Sequence, residues 1–197
     1  ATYPKLTTIP YPKAGSTNSS VRIGVVSTQG GPARWMQVPG DPRQHYLFRM
    51  AWAGNGRELF IGQLNRKQNT AKVFQAEAET GAVKPIFQDQ DETWVDVAEG
   101  SGAALAVEGF DWLNPRHDFL WLSERDGWRR AYTVPRDGGT PVAVTPANMD
   151  VISVEAVDPE GKWLYFIASP DDPTQRLLYR AAIDKIGPPT RITPTTQ

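Results

Sequence analysis

The chain holds two histidines, His45 and His117, so any chemistry built on imidazole must pass through one of them. Hydrolysis by a side-chain nucleophile needs that nucleophile, a base beside it and a third group that orients the base. Cysteine is absent, which removes disulfides and thiolate metal sites. No G-x-S-x-G stretch occurs, so the strained elbow that lifts a hydrolase serine above its sheet is missing. EGSGAA (99–104) contains Gly-Ser-Gly, but no strand signal precedes it and no helix signal follows. It reads as a flexible insertion. His117 stands in the turn NPRHD ahead of one strand and His45 in RQHYLF at the start of another. Both read as turn or strand positions, and no catalytic triad is expected.

Two acidic groups, DQDE (89–92) and PDDP (170–173), offer the oxygen ligands that hard cations take. They lack the EF-hand spacing and its closing Glu, and read as solvated turn acids. Neither G-x-G-x-x-G nor a G-K-[ST] loop is present, so no phosphate cradle and no cofactor is expected. Aromatic residues remain. Trp52, Trp112, Trp121, Trp128 and Trp163 fall inside strand-rich units and are expected to pack between sheets. Trp94, in DETWVDVAEGSG, is flanked by acids on a loop; it either lines the rim of a pocket or packs.

The elements that would position these residues are strands. With 197 residues, 40% hydrophobic and 22% charged, the chain is globular and long enough for a core. Its net charge of −1 gives no electrostatic footprint for nucleic acid or an anionic membrane. No apolar run is long enough to span a bilayer. ATYPKLTTIPYPKAG lacks an initiator Met, a basic n-region and an apolar h-region, and reads as a cut inside a longer protein. Seventeen Gly and 17 Pro are spread along the chain and punctuate short aromatic or β-branched runs such as ELFIGQL, DFLWLS, AYTV and KWLYFIAS. Those are strand signals at all-β spacing. RLLYRAAIDK (176–185), between Pro173 and GPP, reads as a strand flanked by turns.

The strands repeat. Units beginning at Trp52, Trp112 and Val157 each show a turn, an aromatic strand, a polar hairpin turn and a second strand. Aligned on Gly56, His117 and Gly161, the second step is close to the ~40–50 residues of one four-stranded propeller blade. The first step is longer, by an insertion expected around residues 85–110. VKPIF, PVAVTP and TRITP supply an outer strand to each unit, and RIGVVSTQGGPARWMQVPG supplies a further strand pair. The fold class expected is all-β: a partial β-propeller of about three to four blades, an arc of a larger ring, since propellers close with 4–8 blades. Its two ends are expected to expose strand edges.

YPKAGSTNSSVRIGVV (11–26), LNRKQN (64–69), WVD (94–96) and SERDGWRRAY (123–132) resemble, in this order, segments of the propeller domain of dipeptidyl peptidase IV-type serine peptidases, members of the prolyl oligopeptidase clan. The resemblance covers nearly the whole chain. It implies an eight-bladed propeller of which residues 1–197 are a fragment, paired with a C-terminal α/β-hydrolase domain beyond Gln197. The implied activity is release of Xaa-Pro or Xaa-Ala dipeptides from peptides with a free N-terminus. The catalytic serine, aspartate and histidine would lie in the hydrolase domain, and a Glu-Glu pair that grips the substrate amine upstream of PKAG; no Glu-Glu occurs here. The family's loop at the Trp-Val match points side chains at the substrate pocket, which makes Trp94, Val95 and Asp96 the implied pocket residues. Family members place a basic residue shortly afterwards, whereas here Ala98 and Glu99 follow and no Arg or Lys occurs before Arg116. A bacterial source with periplasmic or secreted location is implied as well. A different class of function is a stand-alone binding module whose two copies complete a ring as a homodimer. A WD-type scaffold would need G-H and W-D signatures that the repeats lack.

Overall fold

The structure, a computed structural model, describes residues 3, 6–11, 13–53, 55–97, 112–113, 118–158 and 160–194. Fourteen strands and no helix occur among them. β1 (Gly24–Val25) and β2 (Arg34–Trp35) form a two-stranded sheet. Three four-stranded sheets follow, each an antiparallel meander in chain order. The first holds β3 (His45–Trp52), β4 (Glu58–Asn65), β5 (Thr70–Glu77) and β6 (Val83–Gln90). The second holds β7 (Trp112–Leu113), β8 (Asp118–Ser123), β9 (Arg130–Val134) and β10 (Val142–Ala143). The third holds β11 (Val151–Val157), β12 (Trp163–Ala168), β13 (Leu177–Ala182) and β14 (Thr190–Arg191). This is a partial β-propeller, with the repeat units, their outer strands, the N-terminal strand pair and the strand in RLLYRAAIDK placed as the sequence predicts.

The period of two along each strand builds the stack. In β4, Leu59 and Ile61 enter a cluster shared with Met36 beside β2, while Phe60 and Leu64 enter one shared with Phe119, Trp121 and Val134 of the second sheet. In β8, Leu120 turns the other way, into a cluster with Leu164, Phe166 and Ala168 of the third. Successive sheets therefore pack face to face, and inner sheets bury both faces. β12 shows the end of the stack: Leu164, Phe166 and Ala168 are buried, whereas Trp163, Tyr165 and Ile167 on its other side are half-buried. What the arc leaves open at this end is thus a sheet face, where an exposed strand edge was expected.

Two further expectations are corrected. The insertion begins later than residue 85, because VKPIF continues into β6 as far as Gln90, with Pro85 sitting at a register shift on the outer strand. Of the tryptophans expected between sheets, Trp121 is buried there, but Trp52 and Trp128 are 46% and 40% exposed. Trp163 is half-buried, and nothing is described of the Trp112 side chain. The aromatic run told strand from loop, but not which face each ring takes.

Local turn chemistry fixes the repeat. Asn55 Oδ1 accepts the N–H groups of Arg57 and Glu58, at 3.0 and 3.1 Å, and Asp158 Oδ1 those of Lys162 and Trp163, at 2.5 and 2.7 Å. Each closes the turn before the second strand of its sheet, with Gly56 and Gly161 at φ 66° and 67°. His117, aligned with them, lies outside the described residues. At the opposite pair of strands, the turn before the outer strand docks on the preceding sheet. A Cβ on Gly81 would stand 2.5 Å from the Trp35 carbonyl oxygen, and one on Gly138 3.3 Å from that of Ile86. Gly81→Ala is expected to cost about 3 kcal/mol, from positive φ plus backbone overlap. Gly127→Ala, at φ 89° with nothing within 4 Å, is expected to cost about 1 kcal/mol. Urea denaturation of both variants checks the difference; equal losses would contradict the docking role of Gly81.

Candidate functional site

In a meander of this order, the β4–β5, β8–β9 and β12–β13 loops emerge at one end of the stack, together with the connections from one sheet to the next. Trp94, Val95 and Asp96 lie there, in the connection leaving β6, and with Asp89, Asp91, Ser123, Glu124 and Arg125 they line a shallow depression. Burial alternates along the three: Trp94 is 61% exposed, Val95 is buried in the cluster between the first two sheets, and Asp96 is exposed.

Where the chain leaves β6 the Asp91 N–H donates to the Asn69 carbonyl at 3.1 Å; past that point the segment has three tethers. Asp91 Oδ1 accepts both the N–H and the hydroxyl of Thr93, at 2.7 and 2.6 Å, closing a tight turn before Trp94. The Thr93 hydroxyl first, and the Thr93 N–H next, hold the Asp91 carboxyl below its ordinary value. The Val95 N–H donates to the Gln68 carbonyl at 2.7 Å. That carbonyl is presented by the β4–β5 loop, where Gln68 sits at φ 59° and Asn65 Oδ1 accepts the N–H groups of Asn69 and Thr70, at 3.0 and 3.1 Å. LNRKQN is therefore the seat of the Trp94 segment. The third tether is an ion pair, Asp96 Oδ2 to Arg129 Nε at 3.8 Å.

Beneath the depression lies a charged network. Asp89, 4% exposed, accepts the Trp121 indole N–H on one oxygen at 2.8 Å and Arg125 Nη2 on the other at 2.9 Å. Arg125 Nε also donates to Ser123 Oγ at 3.2 Å, and its guanidinium lies over the rings of Phe87 and Tyr132. Arg125, Asp126, Arg129 and Arg130 of SERDGWRR all have structural partners: Arg130 pairs with Asp126, and Arg129 Nη1 donates to the Val151 and Ile152 carbonyls at 2.6 and 2.8 Å. Burial first, then the Asp126 carboxylate, pushes the Tyr132 hydroxyl up to about 12.

Asp89 is thus a buried ion-pair partner and not the solvated turn acid that DQDE suggests; its partners come 32 and 36 residues later, a pairing no local signal announces. In PDDP, Asp172 does serve as a turn acid, accepting the N–H and hydroxyl of Thr174. His45 opens β3 with Nδ1 3.2 Å from Gln63 Nε2, which also donates to the Pro39 carbonyl at 2.9 Å. Burial holds the His45 imidazole below its ordinary value against the opposing charge of Asp41. It is a strand residue in a polar brace. EGSGAA, Ala98, Glu99 and Arg116 lie outside the described residues. No group of three His, Asp or Glu able to hold a metal occurs among the described residues. Reading the sequence by motif missed Arg125 and Arg129 as parts of this region, although SERDGWRRAY, which carries them, is one of the segments that bear the resemblance.

Residues 1–197 match the family model described as the dipeptidyl peptidase IV (DPP IV) N-terminal region. The chain is 27% identical over 191 residues to the probable dipeptidyl peptidase 4 of Emericella nidulans, covering 90% of this chain and 23% of that protein. It is 24% identical over 185 residues to dipeptidyl peptidase 4 of Trichophyton rubrum, covering 92% and 23%. Among solved structures, dipeptidyl peptidase 4 of Porphyromonas gingivalis superposes with a TM-score of 0.76 at 26% identity, over 93% of this chain and 24% of that one. The chain spans about a quarter of the length of the relatives it matches.

Proposed function

Because the chain belongs to the dipeptidyl peptidase IV N-terminal region family, we propose that it is the propeller portion of a dipeptidyl peptidase IV-like serine exopeptidase that removes Xaa-Pro or Xaa-Ala dipeptides. The match over residues 1–197 carries the reading. In the whole enzyme this arc walls off the active site and admits peptides with a free N-terminus, and a C-terminal hydrolase domain of the same polypeptide supplies serine, histidine and aspartate. Two features support the division of labour. The described residues hold no nucleophile–base pair, His45 being braced by Gln63, and the sequence has no nucleophile elbow.

Of Trp94, Val95 and Asp96, the two exposed residues Trp94 and Asp96 face the peptide, and Val95 anchors them. An exposed indole beside a carboxylate, on a segment seated by buried Val95, presents a stacking surface and a polar handle from a fixed base. The depression is too shallow to enclose a ligand, so it guides a peptide whose scissile bond is held elsewhere. A bacterial source and periplasmic or secreted location complete the proposal; no helix among the described residues is long and apolar enough to cross a membrane.

The test compares the 197-residue chain with the longest natural polypeptide that contains it, on Gly-Pro and Ala-Pro chromogenic amides. The longer protein is expected to hydrolyse them and to lose activity to a serine-directed inhibitor. The 197-residue chain is expected to show no turnover, since transition-state stabilisation needs groups it lacks. Inhibitor-sensitive turnover by the short chain alone, or none by the longer one, would overturn the reading.

A further inference from the structure

We infer that Arg129 is a positioning residue: anchored on the third sheet, it holds Asp96 and thereby sets where the Trp94 ring stands. The inference deepens the reading that Trp94 and Asp96 face the peptide, and rests on it for its meaning in the enzyme.

Arg129 lies in the β8–β9 loop, yet its strongest contacts are with the start of β11. Its N–H donates to Asp150 Oδ1 at 2.8 Å, and its carbonyl accepts the Val151 N–H at 2.7 Å. Its Nη1 spans the Val151 and Ile152 carbonyls at 2.6 and 2.8 Å. Two backbone hydrogen bonds and two from the guanidinium fix Arg129 to the start of the third sheet, and only 16% of the side chain is exposed. Nε is then left on the side of Asp96, 3.8 Å from Oδ2. A planar fork suits this task, since one edge addresses carbonyls while another atom faces a carboxylate; a lysine ammonium has a single point to offer.

The other two tethers of the segment do different work. The Asp91–Thr93 turn is internal to it, and Val95 to Gln68 ties it to the first sheet. Asp96 to Arg129 is the tether that reads the position of the third sheet. Trp94 and Asp96 are the exposed residues on either side of buried Val95, so a pull on Asp96 turns the segment about Val95 and moves Trp94. Peptide-facing geometry and the packing of the second sheet on the third are coupled through one guanidinium.

The experiment uses the 197-residue chain labelled with 5-fluorotryptophan and followed by fluorine NMR. The Trp94 resonance is the one that disappears in Trp94→Phe. Arg129→Gln and Asp96→Asn are expected to shift that resonance in the same direction, and the double variant to shift it no further. Asp96→Asn leaves all four contacts to the third sheet intact, so it answers even where Arg129→Gln unfolds. A Trp94 resonance unmoved in Asp96→Asn, or one moved additively in the double variant, would overturn the inference. Titration with an Ala-Pro-initiated peptide then separates the two claims. Perturbation of Trp94, with binding about twofold to fivefold weaker in Asp96→Asn, supports both, the size following from a partly exposed ion pair. No perturbation in the unsubstituted chain sinks the peptide-facing role of Trp94 while leaving the Arg129 coupling to stand or fall on the first measurement.

Discussion

Asp89→Asn, beneath the depression, is expected to lower the unfolding free energy by about 3 kcal/mol, more than any substitution on its exposed rim. The side chain is nearly isosteric, so cavity formation contributes nothing and the loss is electrostatic and geometric. Asp89 Oδ2 accepts the Trp121 indole N–H at 2.8 Å, while Oδ1 accepts Arg125 Nη2 at 2.9 Å and the Gln90 N–H at 3.2 Å. An amide offers one acceptor and two donors, so asparagine must turn its NH2 group toward one of them. A buried donor facing a donor costs about 1–3 kcal/mol, and Arg125 is left without its counter-ion at a site where its side chain is only 27% exposed. The consequence for the site follows. Arg125 lines the depression and crosses from the second sheet to β6 of the first, so its release loosens the wall opposite Trp94. Chemical denaturation of the variant measures the loss; a change below about 1 kcal/mol would mean that Asp89 is screened far more than its burial indicates.

Reading the residues in order reached the blade repeat because its signals are local: Asn55-Gly56 and Asp158 to Gly161 close turns with their own backbone, and the strands between them are short and aromatic. Face assignment was not legible. Trp52 pairs with Leu59 across β3 and β4, facing the two-stranded sheet, and it is exposed because β1 and β2 are only two residues long and reach no further. Nothing within the run HYLFRMAW records how much of the neighbouring sheet exists. Asp89 failed for a related reason, since an acid between glutamines looks solvated until Arg125 is brought to it. The Trp94 segment stood apart by composition, but its seat on Gln68 depends on a left-handed residue in a loop 27 positions earlier, a role glutamine seldom takes.

Phe119→Ala is expected to lose about 4 kcal/mol and, more tellingly, to split one unfolding transition into two. Phe119 is fully buried and belongs to β8, yet its ring meets Phe60 of β4 at 6.2 Å and Phe87 of β6 at 6.1 Å, edge-on to the latter. It is where the second sheet grips the first. Sheets stacked in chain order touch only their neighbours, so cooperativity is carried by nearest-neighbour interfaces, as in other linear arrays. Weakening one interface uncouples what lies on its two sides. Leu120→Ala, one residue on, truncates the face turned to Leu164 and Phe166 and is expected to cost about 3 kcal/mol at the other junction. Guanidinium denaturation followed by tryptophan fluorescence and by far-ultraviolet circular dichroism distinguishes the outcomes. Non-coincident curves with a reduced m value for Phe119→Ala indicate interface-limited cooperativity. A single coincident transition with the unaltered m value would show that the arc folds as one indivisible unit, bound by more than its consecutive faces.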